Sequence, residues 1–385
     1  MKYGWMIALA LLPLAACDDV FGSDDDDESA GAVFTMNNAA SANYVIVFAR
    51  DDDGSLERTD SVATGGRGSG PHPVFGTDPL ESQDAVILSD DNRLLFVVNA
   101  GSSEVTSFRV SETGELTRVS TVSSGGTFPV SLAVHGDVLY TVNALGGGNI
   151  SGFRVAGDGT LTPLAGSTRS LGGAAMPGPG SIRISPNGRM LVVTLKATDR
   201  LALYGLNASG LPDLAEPFTG LLTGRTPFGA DFDPSGHYIL SFGNIGPNRA
   251  AVPDGSSVIA LDIAAANSVA IHFPAVPTTE TAACWVQITP DGRFAYTTNT
   301  GSGSITGFSI SSIGRLTRLT ENGQTGSTGA GSMPLDMAYA DGYLYALTAG
   351  DRGIHAFRVG TDGSITAAGS VTGVLPISVT GLAAF

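Results

Sequence analysis

The chain is poor in most of the residues from which catalytic and metal sites are built. Five histidines and two cysteines, Cys17 and Cys284, occur in 385 residues. Two cysteines give no disulfide framework, and the few scattered histidines give no ligand cluster for a metal. Charge is sparse, at 15%, and one-sided: 20 Lys and Arg against 36 Asp and Glu, for a net charge of −16. Such a surface repels nucleic acid and anionic headgroups, so nucleic acid is excluded as a partner. No stretch keeps the 3.6-residue period of a long amphipathic helix. No G-x-S-x-G turn leads into a helix, so a nucleophile elbow is excluded too.

Glycine and hydrophobic residues are abundant, with 52 Gly and 42% hydrophobic content. Glycine supplies tight reversals, and the apolar residues recur in a unit that comes round seven times. An apolar residue is followed three positions later by an aromatic or leucine, ahead of a Gly-rich turn. The copies are Val45-Phe48, Val105-Phe108, Ile150-Phe153, Leu201-Tyr204, Val258-Leu261, Ile305-Phe308 and Ile354-Phe357. Their spacing, between 45 and 60 residues, with several short strands in each, predicts an all-β, seven-bladed β-propeller with four antiparallel strands per blade.

The strands of each repeat, named A to D from the axis outward, are clearest at Ser181–Ser185, Met190–Thr194, Leu201–Leu206 and around Leu214–Phe218. Turns such as SPNG, DPSG and TPDG join A to B; DDDG, SETG, AGDG and GTDG join C to D. These tolerate positive φ and suit tight hairpins. The chain ends in a lone A-type strand, Leu382–Phe385, and the propeller begins with a B-type run, VFTMNN, followed by a C-type run, NYVIVF. The last blade is therefore expected to take strands from both termini, leaving no open edge.

Residues 1–17, MKYGWMIALALLPLAAC, combine a lysine, an apolar run too short for an ordinary transmembrane helix, and a small-residue site ending in Cys17. They resemble a bacterial lipoprotein signal, which implies lipidation of Cys17; the other reading is a plain secretory signal. Residues 18–31 form an acidic spacer expected to be disordered, and residues 32–385 the propeller. The expected location is the cell envelope, with a lipid anchor as the only membrane contact and the propeller facing the periplasm or the exterior. By resemblance to enterobacterial sorting rules, Asp18 suggests inner-membrane retention.

Antiparallel order puts A–B and C–D turns on one face, and B–C and D–A connections on the other. The second set is longer: Ala63–Gln83, Ser170–Gly180, Gly243–Ser257, Phe273–Ala283 and Asn322–Met333. Long loops on a rigid scaffold carry function, which makes this face the candidate site; loops that merely tolerate insertion are the plainer alternative. Its polar residues include Arg67, His72, Asp84, Lys196, Asp199, Arg200, Arg225, Asn244, Glu280 and Asp336. His72 falls here, His135 and His237 map to the opposite turns, and His272 and His355 fall in outer strands. The proposed roles are His72 or Glu280 as base, with Lys196, Asp199 and Arg200 completing a catalytic set, and Arg225, Asn244, Trp285 and Asp336 as ligand-binding residues. Trp285 reads equally well as packing. Cys284 reads as a buried small residue rather than a nucleophile. No cofactor or metal is expected, and the chain is expected to be monomeric.

The stretches SFRVSETGELTRVS, NISGFRVAGDGTLTPLAGS, SIRISPNGRMLVVTLKATDRLALY and ITPDGRFAYTTNTGSGSITGF resemble the seven-bladed lactonase family, which includes bacterial 6-phosphogluconolactonase and fungal carboxymuconate-lactonizing enzymes. The likeness extends over residues 32–385. It implies hydrolysis of a lactone or cyclic ester, in which a base activates water and a cationic clamp stabilises the oxyanion. The loop Leu195–Arg200 matches the L-K-x-D-R stretch of the phosphogluconolactonases. The position of the family's histidine reads Gly180, that of its Arg-His pair Phe228-Gly229, and that of its glutamate lies near Asn244. A non-catalytic propeller that binds an envelope protein or ligand through its long loops is the competing reading, because fold alone does not determine activity.

Overall fold

The computed structural model of this chain describes residues 30–73, 76–173, 175–213, 217–222, 225–246 and 250–385, besides Met1. The signal segment with Cys17 and nearly all of the acidic spacer lie outside the described residues. Among the described residues there is no helix. Seven antiparallel sheets form the ring. Blades 1 to 6 follow chain order, from an inner strand at Val86–Leu88 in blade 1 to an outer strand at Ile365–Val371 in blade 6. The seventh sheet has the order Leu56–Ala63, Tyr44–Arg50, Gly31–Met36, Thr380–Ala384, so both ends of the propeller share it.

The closure is well bonded. Val33, Phe34 and Thr35 face Ala384, Ala383 and Leu382, with a register shift before Met36 meets Thr380. Ala32 and Phe385 exchange backbone hydrogen bonds of 3.1 and 3.0 Å. Arg50, 1% exposed, donates from Nε to the Phe385 carbonyl at 3.0 Å and from Nη2 to the Ala30 carbonyl at 2.8 Å, and it also pairs with Asp341.

Burial follows strand position. The B strands Leu94–Asn99 and Met190–Leu195 are buried along their whole length, because they are covered by a blade on each side. The outer strand Leu56–Ala63 is exposed along most of its length. In blades 2, 4 and 5 the outer strand is split into two short pieces that pair with the same C strand, as at Leu161–Pro163 and Arg169–Ser170. Blade 3 has its outer strand at Phe218–Leu221, a little beyond the expected Leu214–Phe218; residues 214–216 lie outside the described residues. An edge strand has a partner on one side only, so its sequence holds its register weakly.

Neighbouring blades are tied by a repeated hydrogen bond. The Tyr140, Tyr296 and Tyr345 hydroxyls donate to the carbonyls of Gly210, Gly363 and Gly54, at 2.6, 2.9 and 3.3 Å. Each acceptor lies in the C–D turn of the next blade. Two of these glycines show why the turns need glycine: Gly54 and Gly363 have φ of +84° and +83°, and a Cβ on either would overlap the ring of Tyr343 or Phe294.

Candidate functional site

The longest connection, between the outer strand of the closing blade and the inner strand of blade 1, does not stay on the surface. Its last part, residues 78–84, dips into the ring and bonds to the inner strands of four blades. Ser82 Oγ donates to the Val130 carbonyl of blade 2 at 2.7 Å. Gln83 N donates to the Gly180 carbonyl of blade 3 at 2.8 Å. The Gln83 side chain pairs with the backbone of Val286 in blade 5, giving at 2.7 Å and accepting at 3.1 Å. Asp84 N donates to Asp336 Oδ2 of blade 6 at 3.2 Å. The bends are made at Asp78, Glu81 and Asp84, with φ of 46°, 49° and 63°, a region Asp tolerates better than most residues.

Below this axial segment lies a buried polar cluster. Arg183 Nη1 is 2.8 Å from Asp84 Oδ2, and its Nε is 3.3 Å from Asp231 Oδ1 and 2.8 Å from the Ala230 carbonyl. Asp336, 1% exposed, accepts the amides of Asp84 and Met337. Asp84 and Asp231 thus share one guanidinium, whose charge also acts on Asp336. Burial raises all three above the usual carboxylate range, Asp336 to about 7, even though Arg183 pulls in the opposite direction.

Above the segment, at the long-loop mouth, a second group converges. His72 Nε2 lies 3.4 Å from Glu81 Oε1, with side chains 15% and 26% exposed. Lys196 Nζ donates to the carbonyls of Glu81 and Pro179, the latter at 3.3 Å, and sits 4.6 Å from the centre of the Phe228 ring. Asp78 Oδ1 accepts the Glu81 amide at 3.0 Å. Burial, reinforced by the Glu81 charge and opposed by Lys196, pushes the Asp78 carboxyl up to about 7. A carboxyl, an imidazole and an ammonium are gathered here, with the carboxyl titrating where general acid–base chemistry needs it.

Of the residues expected from sequence, His72 and Lys196 are brought together through Glu81, and Asp336 joins the cluster beneath. Trp285 is 1% exposed; its indole N–H donates to the Ser82 carbonyl at 3.0 Å and its ring lies 4.8 Å from Phe228, so it carries the axial segment from below. Cys284 is buried, and burial pushes its thiol up to about 12, as suits a packing residue. Asp199 accepts the Thr226 amide at 2.9 Å and so holds a loop. Arg200 opens its strand opposite Leu195 and Leu221, exposed. Glu280 accepts from Ser304 Oγ at 3.0 Å. Arg225 and Asn244 line a separate cavity of about 460 Å³ beside Phe242, in which Asn244 Nδ2 donates to the Gly255 carbonyl at 2.9 Å. Cys17 lies outside the described residues.

Sequence reasoning passed over Asp78, Glu81, Gln83, Arg183 and Asp231. One signal was available: Asp78, Glu81 and Asp84 recur every third residue at the end of the longest connection. Nothing in the sequence said that this stretch turns inward.

Gly180 and Gly229 are crowded. A Cβ on Gly180 would lie 3.0 Å from the Phe228 carbonyl and from Thr194 Oγ1, and one on Gly229 would overlap the Gln83 amide and the Cys284 carbonyl. The space beside the axis is thus taken by the axial segment and by backbone.

A family model described as lactonase, 7-bladed beta-propeller, matches residues 35–252. The chain belongs to this family. No curated protein matches it. Among solved structures, this lactonase-family chain is similar to a protein of Bacteroides uniformis described as a candidate 6-phosphogluconolactonase, at 18% identity and a TM-score of 0.69, over 91% of this chain and 99% of the other. It is also similar to the periplasmic gluconolactonase PpgL of Pseudomonas aeruginosa, at 19% and 0.64, over 91% and 98%. A protein of Lactobacillus plantarum aligns at 17% and 0.66, over 92% and 99%. At such identities the likeness is one of fold.

Proposed function

We propose that this protein is a lactonase-type hydrolase of the cell envelope that opens a lactone or related cyclic ester at the long-loop mouth. The observation that carries the reading is the meeting of His72 and Lys196 with Asp78 and Glu81 of the axial segment. Water attacks the acyl carbon while its proton passes to Asp78 or to the His72–Glu81 pair. The ring C–O bond then breaks, and the ring oxygen leaves as an alcohol after taking up a proton, giving a hydroxy acid. Lys196 supplies positive charge for the developing oxyanion or for an anionic group on the substrate. Two structural neighbours named for gluconolactone chemistry support a sugar-derived lactone. Anchoring through a Cys17 lipid would place the site outside the cytoplasm, where sugar phosphates are scarce, so an unphosphorylated lactone fits better.

A panel of aldonolactones, with and without phosphate, assayed by acid release tests this. Turnover should fall by about 10²–10³-fold in Asp78→Asn and in Lys196→Ala. The rate should rise with pH through an inflection near 7, set by the Asp78 carboxyl. A specific observation favours a second reading: the Gln83 amide fills the space beside Gly229. On that reading the long-loop face docks an envelope protein or ligand without chemistry. Absence of turnover on every lactone, together with specific capture of an envelope protein, would decide for it.

A further inference from the structure

We propose that the groove between blades 2 and 3, on the short-turn face, binds a small molecule through an oxyanion, either a carboxylate or a phosphate. The site lies on the face opposite the mouth and is independent of the lactonase reading.

The groove arises from a mismatch of turns. In blade 2 the A–B hairpin closes with two residues, Gly136 and Asp137, since His135 pairs with Val138. In blade 3 the corresponding turn is longer and runs through Asn187 to Arg189. Between them opens a cavity of about 620 Å³ floored by Val138, Ile184 and Leu206, a size suited to a small ligand. Blade 6 has the same two-residue turn, where Ala340 pairs with Tyr343. There the notch against the closing blade is filled by Arg50, whose guanidinium meets Asp341 and the carbonyls of Ala30 and Phe385. In the repeat of blade 3 the residue at the place of Arg50 is Leu206, which is too short to fill the space.

The polar groups on the walls that remain uncommitted are mostly donors. Arg154 and Asp137 satisfy each other, with Nη1 at 2.8 Å from both carboxylate oxygens, and Arg154 Nη2 donates to the Ser209 carbonyl at 2.6 Å. Asp213 also lines the groove, its carboxylate turned towards Gly205. Asn187 and Asn207 spend their Oδ1 atoms on the turn amides of Arg189 and Ser209, at 3.0 and 2.8 Å, which leaves their NH₂ groups to donate. His135 sits against Gly188, where a Cβ would come within 2.7 Å of its ring. Arg189 is exposed, and among the described residues its guanidinium makes no hydrogen bond or ion pair. Its counterpart in the same turn of blade 5, Arg293, is committed: Nη2 donates to the Thr361 carbonyl at 2.8 Å. A guanidinium and amide donors above an apolar floor suit a planar or tetrahedral oxyanion.

Titration calorimetry of the full-length chain in detergent, at fixed ionic strength, tests this with inorganic phosphate and with acetate as separate probes. Saturable binding of either probe supports the site and names the oxyanion. Arg189→Gln should weaken it about tenfold, as expected for loss of a charge-assisted contact, while Arg293→Gln, the same charge change on the same face, should leave it unchanged. Arg189→Gln should melt where the parent does, because its side chain is exposed. No saturable binding of either probe would overturn the proposal, as would equal weakening by the two substitutions.

Discussion

The ring and its axis are built on opposite terms. The ring is redundant: seven similar sheets, buried B strands, and the same tyrosine-to-glycine hydrogen bond at three blade junctions. The axis is singular: one polar segment bent at three left-handed residues, whose Asp84 shares Arg183 with Asp231. Apolar packing spread over many equivalent contacts is tolerant of any one loss. A buried ionic cluster is not, because removing one partner leaves an uncompensated charge. The proposed site sits where the molecule is least repetitive.

The largest expected effect falls on the one place where the ring lacks redundancy. Removing residues 376–385 takes away the inner strand of the closing blade and exposes the edge of Gly31–Met36, so cooperative unfolding monitored by circular dichroism should be lost altogether. A truncated chain that still melts cooperatively as a monomer would show the ring to be closed without that strand. Next comes the axis: Arg183→Met should cost on the order of 3–5 kcal/mol in denaturant unfolding. A loss below about 1 kcal/mol would mean that the carboxyls there are already neutral and need no counter-charge.

The third effect is a pH slope. The Asp336 carboxyl is raised to about 7 in the folded chain by burial, against an ordinary value of 3.8. At pH values between these two the folded protein keeps a proton that the unfolded chain has released. Its stabilising contribution is therefore complete below the ordinary value and lost as pH rises through about 7. Stability should fall over that window, and Asp336→Asn should flatten the slope; a parent whose stability rises across it would contradict this account of the axis. The smallest effect belongs to the ring: Tyr296→Phe removes one of three equivalent junction bonds and should cost about 1 kcal/mol in the same denaturant measurement. A cost as large as that of Arg183→Met would erase the contrast between ring and axis.

Much of the ring was legible because its signals are local. The V-x-x-F unit, the Asp-Gly turns and the B-type run at the start of the propeller each specify strands within a few residues, and seven repetitions at near-constant spacing give the blade number. The outer strands were read less well, as at Phe218–Leu221, since an edge with one partner constrains its sequence weakly. At the mouth, His72 and Lys196 could be nominated from their loops, but the residue that joins them, Glu81, could not. Trp285 was open between pocket floor and packing until its indole was seen holding the Ser82 carbonyl.

The sequence by itself determined the architecture: seven sheets, their hairpins, the shared closing blade and the sorting of loops between two faces, all consequences of strand alternation and turn chemistry between near neighbours. Only the tertiary structure decided what lies on the axis. Arg183, Asp231 and Asp336 come from three different blades and Asp84 from the axial segment, and they are up to 252 residues apart in the chain. Their meeting follows from the way the ring closes in space, and no local pattern records it.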